Sequence, residues 1–308
     1  MPHNRLFGAR PNAIVRIRAT PGRYNETACW GGADQAVKRS RHSALERVLP
    51  LGLAVALALG LTVTLVAQSA SLAAGSAKTW VGRESQIEAY LKTAEVARVE
   101  EVGEGVTRPS RAFLKSADPV DSFAWKVLPP GRRSGHWESY RSEIAAYELD
   151  KLLDMKMVPP AVERTVDGKV GAAIMWIGSI KSVKQTGGNV PSGPAWGGAV
   201  RRMQMFDNLI ANPDRNSGNI LIGAPGELIL IDHSRAFLTD KSLRHKFERV
   251  DADLWERMKA LTGEDLHRAL GPWLEDDAIG AIIERRNRMA SEVDKLVSKN
   301  GAAAVIIP

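Results

Sequence analysis

Three polar residues in the second half of the chain have types and spacings suited to holding a metal ion beside phosphate groups. Asp214 is followed five residues later by Asn219, and Asp232 comes thirteen residues after Asn219, at the end of an apolar run. One carboxylate can orient an attacking hydroxyl, while an amide oxygen and a second carboxylate can hold Mg²⁺ against phosphates. A short hairpin between Asn219 and Asp232 would bring both oxygens to one place. The spacing therefore predicts a site for phosphoryl transfer.

The spacing of apolar residues predicts the elements that would carry this site. In the first half we expect a helix at 80–97, two strands within 96–116, a strand at Ser122–Val127, a helix at Glu138–Met155 and a hairpin at Ala161–Ile177 that turns at Asp167-Gly168. In the second half we expect a loop at Gly187–Gly198, a helix at Val200–Ala211, short strands at Asn219–Gly223 and Leu228–Asp232, and helices from Ser242 to about Lys299. The predicted fold class is therefore α+β, with a sheet-rich lobe at 80–178 followed by a helical lobe at 179–300.

The arrangement D-x-x-x-x-N with a downstream Asp resembles that of the protein-kinase-like superfamily. The wording N-x-D-R-N-x-x-N, at 212–219, is similar to its atypical branch: phosphatidylinositol 3-/4-kinases, HipA-like kinases and the secretory-pathway kinases of the Golgi casein kinase family. A second block, SEIAAYELDKLLDMKMVPPAVER at 142–164, resembles the E-I-A-A-F-x-L-D-R-x-L-x-x-x-x-V-P-P run of the Golgi casein kinase family. The resemblance spans about residues 97–235 and implies a two-lobed kinase-like fold.

This resemblance implies roles for individual residues. Lys126, in FAWK, matches the lysine that pairs with nucleotide phosphates, and Glu143 matches its helix partner. Glu148, further along the same predicted helix, is the alternative partner. Asp214 corresponds to the catalytic base, and the implied cofactors are ATP and a divalent metal, Mg²⁺ or Mn²⁺, held by Asn219 and Asp232.

Two further pairs of residues correspond to the nucleotide-binding parts of such a fold. Gly103 and Gly105, in VGEGVTRP, would form a turn that covers the phosphates. Met175 and Trp176 end a strand where this fold passes the adenine, and packing in the core explains these two side chains equally well. A turn also explains the two glycines without any ligand.

Several positions depart from the family patterns. The usual H-R-D is absent, because Asp214 follows Asn212-Pro213, and Asp232 leads into His-Ser where Phe-Gly is usual. Asn219 stands where the Golgi casein kinase family has an acidic residue. Arg215 is predicted to brace Asp214 or a phosphate, or to form a surface ion pair. Because few residues separate Asp232 from the next predicted helix and A-P-E is absent, we do not expect control by activation-loop phosphorylation.

The acceptor of the phosphoryl group is left open by these patterns. A hydroxyl on a protein Ser/Thr or on a glycan is the main interpretation, and a lipid of the phosphatidylinositol type is an alternative. A second alternative is a catalytically silent pseudokinase that serves as a binding module. The complete set of Lys126, Asp214, Asn219 and Asp232 argues against the silent form.

The chain begins with a basic leader at 1–47, predicted to be disordered, followed by an apolar segment at 48–73. Residues 49–67 contain no charged side chain, and small residues follow them. This pattern is typical of a secretory signal peptide or of a single membrane anchor. Either would place the following domain outside the cytoplasm, in the periplasm or exterior of a bacterium. If the segment is only a buried helix, the domain is cytoplasmic.

Charge and cysteine content exclude several classes of protein. The net charge is +7, but the leader alone has nine Lys and Arg against three Asp and Glu, so the remainder is nearly balanced and nucleic-acid binding is not expected. The one cysteine, Cys29, excludes a disulfide within the chain and a cysteine-based metal site. His233 has no Cys or second His at zinc spacing, so a zinc site is not expected there.

Overall fold

The computed structural model describes residues 75–103, 110–224 and 226–308. The predicted α+β class is confirmed, since a sheet-rich N-terminal region precedes a helical C-terminal region. The N-terminal elements are α1 (Glu84–Thr93), β1 (Val96–Glu101), β2 (Ser110–Leu114), β3 (Ser122–Lys126), β4 (Gly131–Arg133), β5 (His136–Glu138), α2 (Tyr140–Leu152), β6 (Ala161–Val166) and β7 (Lys169–Met175). The C-terminal elements are β8 (Lys181–Ser182), α3 (Pro194–Leu209), β9 (Ile220–Gly223), β10 (Glu227–Leu230), β11 (Val250–Asp251), α4 (Ala252–Ala260), α5 (Gly263–Leu270), α6 (Asp276–Asn300), α7 (Ala302–Val305) and β12 (Ile306–Ile307).

The N-terminal sheet has five antiparallel strands in the order β1-β2-β3-β7-β6. Side chains alternate between its two faces. Phe123 and Trp125 of β3 pack with Ile87 and Leu91 of α1 in one apolar cluster. Lys126 therefore points to the other face, which α2 covers. This alternation along β3 is what aims the Lys126 ammonium toward α2.

The second apolar cluster lies on the α2 face and continues into the helical region. It joins Ile144 and Leu149 of α2 to Phe206 of α3, Leu254 of α4 and Ile282 of α6, all of them buried. Helix α2 begins after Ser139, whose side chain accepts the Arg141 N–H and so caps the first turn. Since α2 contributes to the core of the helical region while covering the sheet, it links the two parts of the fold.

Most predicted elements are present, with differences at their ends. The β6–β7 hairpin turns at Asp167 (φ 49°) and Gly168 (φ 74°), the conformation that Asp-Gly favours. Helix α3 starts at Pro194, inside the predicted loop Gly187–Gly198, because proline is compatible with the first turn of a helix. The β4–β5 hairpin, which turns at Ser134 and Gly135, was not predicted, because its exposed sequence lacks apolar alternation.

The segment after Asp232 is longer than predicted. The expectation of a helix from Ser242 is wrong, since 233–249 contains neither helix nor strand and α4 starts at Ala252. Buried Arg285 of α6 holds this segment, because its guanidinium donates to the carbonyl oxygens of Leu238 (2.8 Å) and Asp240 (2.7 Å). Burial lowers the pKa of Arg285 to about 10.

Three predicted features lie outside the described residues: the leader at 1–47, the apolar segment at 48–73, and Gly105. Among residues 75–103, 110–224 and 226–308, every helix is too short or too polar to cross a bilayer.

A buried carboxyl at the C-terminal end of α2 predicts a pH-dependent stability. Asp150 accepts the N–H groups of Met157 (3.0 Å) and Val158 (3.2 Å), and burial raises its pKa to about 7 although these N–H groups oppose the shift. In the unfolded chain an Asp pKa is about 3.9, so folding stability falls as pH rises between about 3.9 and 7, by about 1.4 kcal/mol per pH unit. Asp150→Asn keeps an acceptor oxygen but cannot ionise. We expect its melting temperature, relative to the wild type, to be higher at pH 8 than at pH 5 in thermal denaturation.

The matched control is Asp154→Asn, four residues away. Asp154 is exposed and its pKa is lowered by Lys156, so it is ionised at both pH values. Its effect on the melting temperature should be the same at pH 5 and pH 8. An equally pH-independent effect of Asp150→Asn would contradict the prediction.

Candidate active site

The ammonium group of Lys126 lies between two carboxylates that come from distant parts of the chain. Its Nζ is 2.6 Å from Glu143 Oε1 and 2.7 Å from Asp232 Oδ1. The side chains of Lys126 and Glu143 are only 7% and 3% exposed, whereas that of Asp232 is 31% exposed. One cation thus joins β3, α2 and the segment that follows β10, and the Asp232 end of this triad opens to solvent.

Both members of the buried pair are held in their charged forms. Burial by itself lowers the pKa of Lys126, but the carboxylates of Asp232 and Glu143 outweigh it and leave the pKa above its ordinary value. Burial by itself raises the pKa of Glu143, yet Lys126 and His233 hold it at about 2. The pair is therefore ionised across the physiological pH range.

Glycine at position 171 lets β7 approach β3 closely beside Lys126. A Cβ on Gly171 would lie 2.3 Å from the Lys126 carbonyl oxygen, which is closer than two such atoms can be. The neighbouring Ala172 is the residue paired with Lys126 in the sheet. The close approach of β7 to the Lys126 backbone therefore requires glycine at position 171. The sequence analysis did not identify this residue.

The first turn of α2 is bound by four consecutive residues that follow Asp232. The contacts are His233 N–H to Glu143 Oε2 (2.9 Å), Ser139 N–H to the Ser234 carbonyl (2.9 Å), Arg235 to Glu138 Oε1 (2.8 and 2.9 Å), and Ser142 Oγ to the Ala236 carbonyl (3.4 Å). We call residues 233–236 the docking segment. Because Asp232 immediately precedes it, the position of α2 and the position of Asp232 are fixed together.

The imidazole of His233 links the docking segment to the loop that carries Asp214. Its Nε2 lies 2.9 Å from Arg215 Nη2, and its Nδ1 lies 3.7 Å from Glu143 Oε2. Arginine can only donate, so Nε2 must accept and the ring proton is assigned to Nδ1. Burial lowers the pKa of His233, in keeping with this neutral form.

Arg215 forms a buried ion pair that was not among the three sequence-based expectations. Its Nε and Nη2 donate to the two carboxylate oxygens of Asp207 at 2.9 and 3.0 Å, and its Nη1 donates to the carbonyls of Asn219 and Ile231. The side chains of Arg215 and Asp207 are 2% and 0% exposed. The expectations that Arg215 braces Asp214 or lies in a surface pair are therefore wrong, because the guanidinium points inward and ties the loop to α3 and to Ile231, the residue after β10.

Asp214 and Asn219 are held in one loop by short-range hydrogen bonds. The Asp214 N–H donates to Asn212 Oδ1 (3.0 Å), and Asn219 Nδ2 donates to the Asp214 carbonyl (2.9 Å). The Asp214 carboxylate is 38% exposed and its Oδ2 lies 3.2 Å from Arg235 Nη1. A polar group in solution can therefore reach this carboxylate.

The oxygens of Asn219 and Asp232 fit a divalent metal. Because Asn219 Nδ2 is occupied as a donor, its Oδ1 is the free acceptor. Asp232 Oδ1 accepts from Lys126 and Ser234, while Oδ2 has no hydrogen bond within the described ranges. Two hard oxygen ligands suit Mg²⁺ or Mn²⁺, which complete their shells with phosphates and water. In the same ranges no three His, Cys, Asp or Glu side chains cluster as a metal site, so a metal here would depend on such outside ligands.

Of the remaining predicted nucleotide-binding residues, Gly103, Met175 and Trp176 belong to the part of the chain that the structure describes. Gly103 is exposed, with open space around its Cα, and the turn after it lies outside the described residues. Met175 packs in the α1 cluster, on the sheet face opposite Lys126, and the Trp176 ring stacks under the Arg111 guanidinium at 4.5 Å. The position of Met175 agrees with the packing alternative, because strand alternation turns its side chain into the α1 cluster.

Sequence reasoning missed Asp207, Glu138 and Arg235. Each is a charged residue whose partner is distant in the chain or inside another element, and no spacing rule connects them. The available signal for Arg235 is that it lies three residues after Asp232, in the segment that leaves the predicted metal site.

The geometry predicts different roles for Glu143 and Glu148. Glu143→Gln removes the negative charge beside buried Lys126, so we expect it to lower the free energy of unfolding by about 3 kcal/mol. Glu148, the alternative partner, instead pairs with half-buried Lys151 at 3.0 Å, so Glu148→Gln should cost less than about 1 kcal/mol. Chemical denaturation of the two variants measures both values, and equal losses would refute the assignment of Glu143.

No known family model matches the chain, and no curated protein sequence matches it. Solved structures do resemble it. The structure of hydra Fam20 with sugar is 17% identical, with a TM-score of 0.59, over 73% of this chain and 92% of that chain. The Golgi casein kinase with Mn/ADP bound is 13% identical, with a TM-score of 0.56, over 72% of this chain and 78% of that chain.

A further structure of the Golgi casein kinase is 14% identical, with a TM-score of 0.54. At these identities the likeness concerns the fold. The sheet-rich region, the helix that carries Glu143 and the helical region together form an atypical protein-kinase-like fold.

Proposed function

We propose that this protein is a kinase that uses ATP and Mg²⁺ to transfer the γ-phosphoryl group to a hydroxyl acceptor. The observation that carries the proposal is the Lys126 ammonium, 2.6 Å from Glu143 and 2.7 Å from Asp232. This triad aligns a phosphate-neutralising cation with a metal-binding carboxylate at the opening of the site. In protein kinases, a lysine–glutamate ion pair and a metal-binding aspartate must both be in place for phosphoryl transfer.

Each residue of the site has a distinct task in the proposed reaction. Asp214, on its own loop and partly exposed, orients the acceptor hydroxyl and takes its proton as the oxygen attacks phosphorus. Lys126 neutralises phosphate charge on the donor. Asn219 and Asp232 would hold the metal, which supplies positive charge to the phosphate oxygens when bound. The structure of the Golgi casein kinase with Mn/ADP supports a nucleotide and a divalent metal in such a fold.

For the acceptor we propose a protein Ser/Thr or a glycan. The structure of hydra Fam20 with sugar supports the glycan class, since that protein holds a sugar in a similar fold. A lipid hydroxyl is the alternative acceptor, because the loop sequence at 212–219 resembles that of phosphatidylinositol 3-/4-kinases. Labelled ATP offered with protein, glycan and lipid acceptors distinguishes them by the compound that becomes labelled.

We expect Asp232→Ala to abolish both transfer and Mg²⁺-dependent ATP binding, because it removes a metal ligand and the outer partner of Lys126. Binding is measured by thermal shift, where a ligand at about 100 times its Kd adds about 2.7 kcal/mol to the free energy of unfolding. Wild-type protein should shift with Mg·ATP and Asp232→Ala should not.

Asp294→Ala is the control for this change, since Asp294 is exposed on α6 far along the chain from the site. It should retain both the shift and the transfer. A wild-type protein that shows no shift with Mg·ATP would favour the binding-module alternative. Activity that survives in Asp232→Ala would contradict the assigned site.

We also propose that the domain works outside the cytoplasm, on the basis of the basic leader and the uncharged run at 49–67. Residues 1–75 fused to alkaline phosphatase, which is active only after export, should give active enzyme in a bacterial host. Export would be refuted if the phosphatase fusion were inactive and residues 1–75 fused to a reporter that fluoresces only in the cytoplasm gave fluorescence.

A further inference from the structure

We propose that Arg235 is a positioning residue that holds the Asp214 carboxylate in place and ties it to the start of α2. This inference rests on the proposed kinase function, in which Arg235 was given no role. It concerns the acceptor side of the site, whereas Lys126 and Asp232 concern the donor side.

The guanidinium of Arg235 bridges two carboxylates. Its Nε and Nη2 lie 2.9 and 2.8 Å from Glu138 Oε1, and its Nη1 lies 3.2 Å from Asp214 Oδ2. Glu138 is buried at the end of β5, directly before α2, and the Arg235 side chain is only 15% exposed. The Glu138 end is therefore the anchor, and the Asp214 end is the part that faces the site.

The backbone around Arg235 is fixed on both sides. Ser234 accepts the Ser139 N–H through its carbonyl, and the Ala236 N–H donates to the His233 carbonyl at 2.9 Å. The guanidinium thus has little freedom to move independently of α2. Because a planar guanidinium presents its donors in a fixed fork, it holds its two carboxylates in one relative orientation more strictly than a lysine ammonium, whose donors rotate freely.

This arrangement restrains one oxygen of Asp214 and leaves the other for the acceptor. Oδ2 is bound by Arg235, whereas among residues 75–103, 110–224 and 226–308 the contact made by Oδ1 is a long one with Asn216 Nδ2, at 3.4 Å on the exposed loop. An incoming hydroxyl can displace the exposed amide of Asn216 more easily than the anchored guanidinium. Arg235 therefore defines which oxygen of Asp214 takes the proton, and it acts on the reaction through Asp214.

The test compares Arg235→Ala, Asp214→Asn and the double variant in the full chain. We expect Arg235→Ala to lower kcat about 100-fold, the usual effect of misplacing a reacting group by about 1 Å, while the Kd for Mg·ATP stays unchanged. If Arg235 acts through Asp214, then Arg235→Ala should cause no further loss in the Asp214→Asn background. Losses that multiply in the double variant would show a merely structural role and overturn the proposal.

Two further variants support the test. Arg235→Lys keeps the charge but not the fork, so its kcat should lie between those of wild type and Arg235→Ala; full activity would contradict the bridging role. Glu138→Gln weakens only the anchor and should lower kcat less than Arg235→Ala does. If Arg235→Ala fails to fold, Arg235→Lys combined with Asp214→Asn gives the same comparison of additive and non-additive losses.

Arg268→Ala is the matched control. Arg268 also bridges two carboxylates, those of Asp265 (3.2 Å) and Glu264 (2.6 Å), but on the exposed surface of α5. It should leave kcat unchanged. If the wild type itself transfers no phosphoryl group, the proposed kinase function fails. The Arg235 assignment is then decided by crystal structures of the wild type and Arg235→Ala, in which an unmoved Asp214 carboxylate would overturn it.

Discussion

The buried ammonium of Lys126 is shared by two carboxylates, and the architecture of the site follows from the need to balance these charges. Glu143 is almost fully buried and could not remain ionised there without a cation. Asp232 occupies the solvent side of the same ammonium. Three elements must therefore meet at one point, and loss of Lys126 would leave the buried Glu143 carboxylate without its cation.

Around this triad, the polar contacts continue in two directions. On one side, His233 connects Glu143 to the Arg215–Asp207 pair, which holds the loop of Asp214 and Asn219 against β10. On the other side, the docking segment at 233–236 binds the first turn of α2 residue by residue. These contacts hold Lys126, Asp232 and Asp214 in fixed positions around the first turn of α2.

The sequence predicted the parts of the site that depend on local spacing. The spacing of apolar residues anticipated the α+β class, and the resemblance carried by Asp214, Asn219, Asp232 and the helix bearing Glu143 implied a kinase-like fold. The structure places Glu143, not Glu148, against Lys126. Asp-Gly at 167–168 likewise predicted its hairpin, because both residues tolerate positive φ.

The features that the sequence did not predict depend on contacts between distant residues, or on which face of a strand a single residue occupies. The Arg235–Glu138 pair joins positions 97 apart, and nothing local in either segment indicates the other. Met175 and Ile174 differ by one residue, yet they face opposite sides of the sheet and enter different clusters. The length of the segment at 233–249 was underestimated because tertiary contacts, including those of Arg285, hold it without regular structure.

A crystal structure of the protein with Mg²⁺ and a non-hydrolysable ATP analogue tests the central claim most directly. We expect a metal ion bound by Asn219 Oδ1 and Asp232 Oδ2, phosphates within reach of Lys126 Nζ, and the γ-phosphate facing Asp214. A nucleotide bound elsewhere, or a metal that avoids both Asn219 and Asp232, would contradict it.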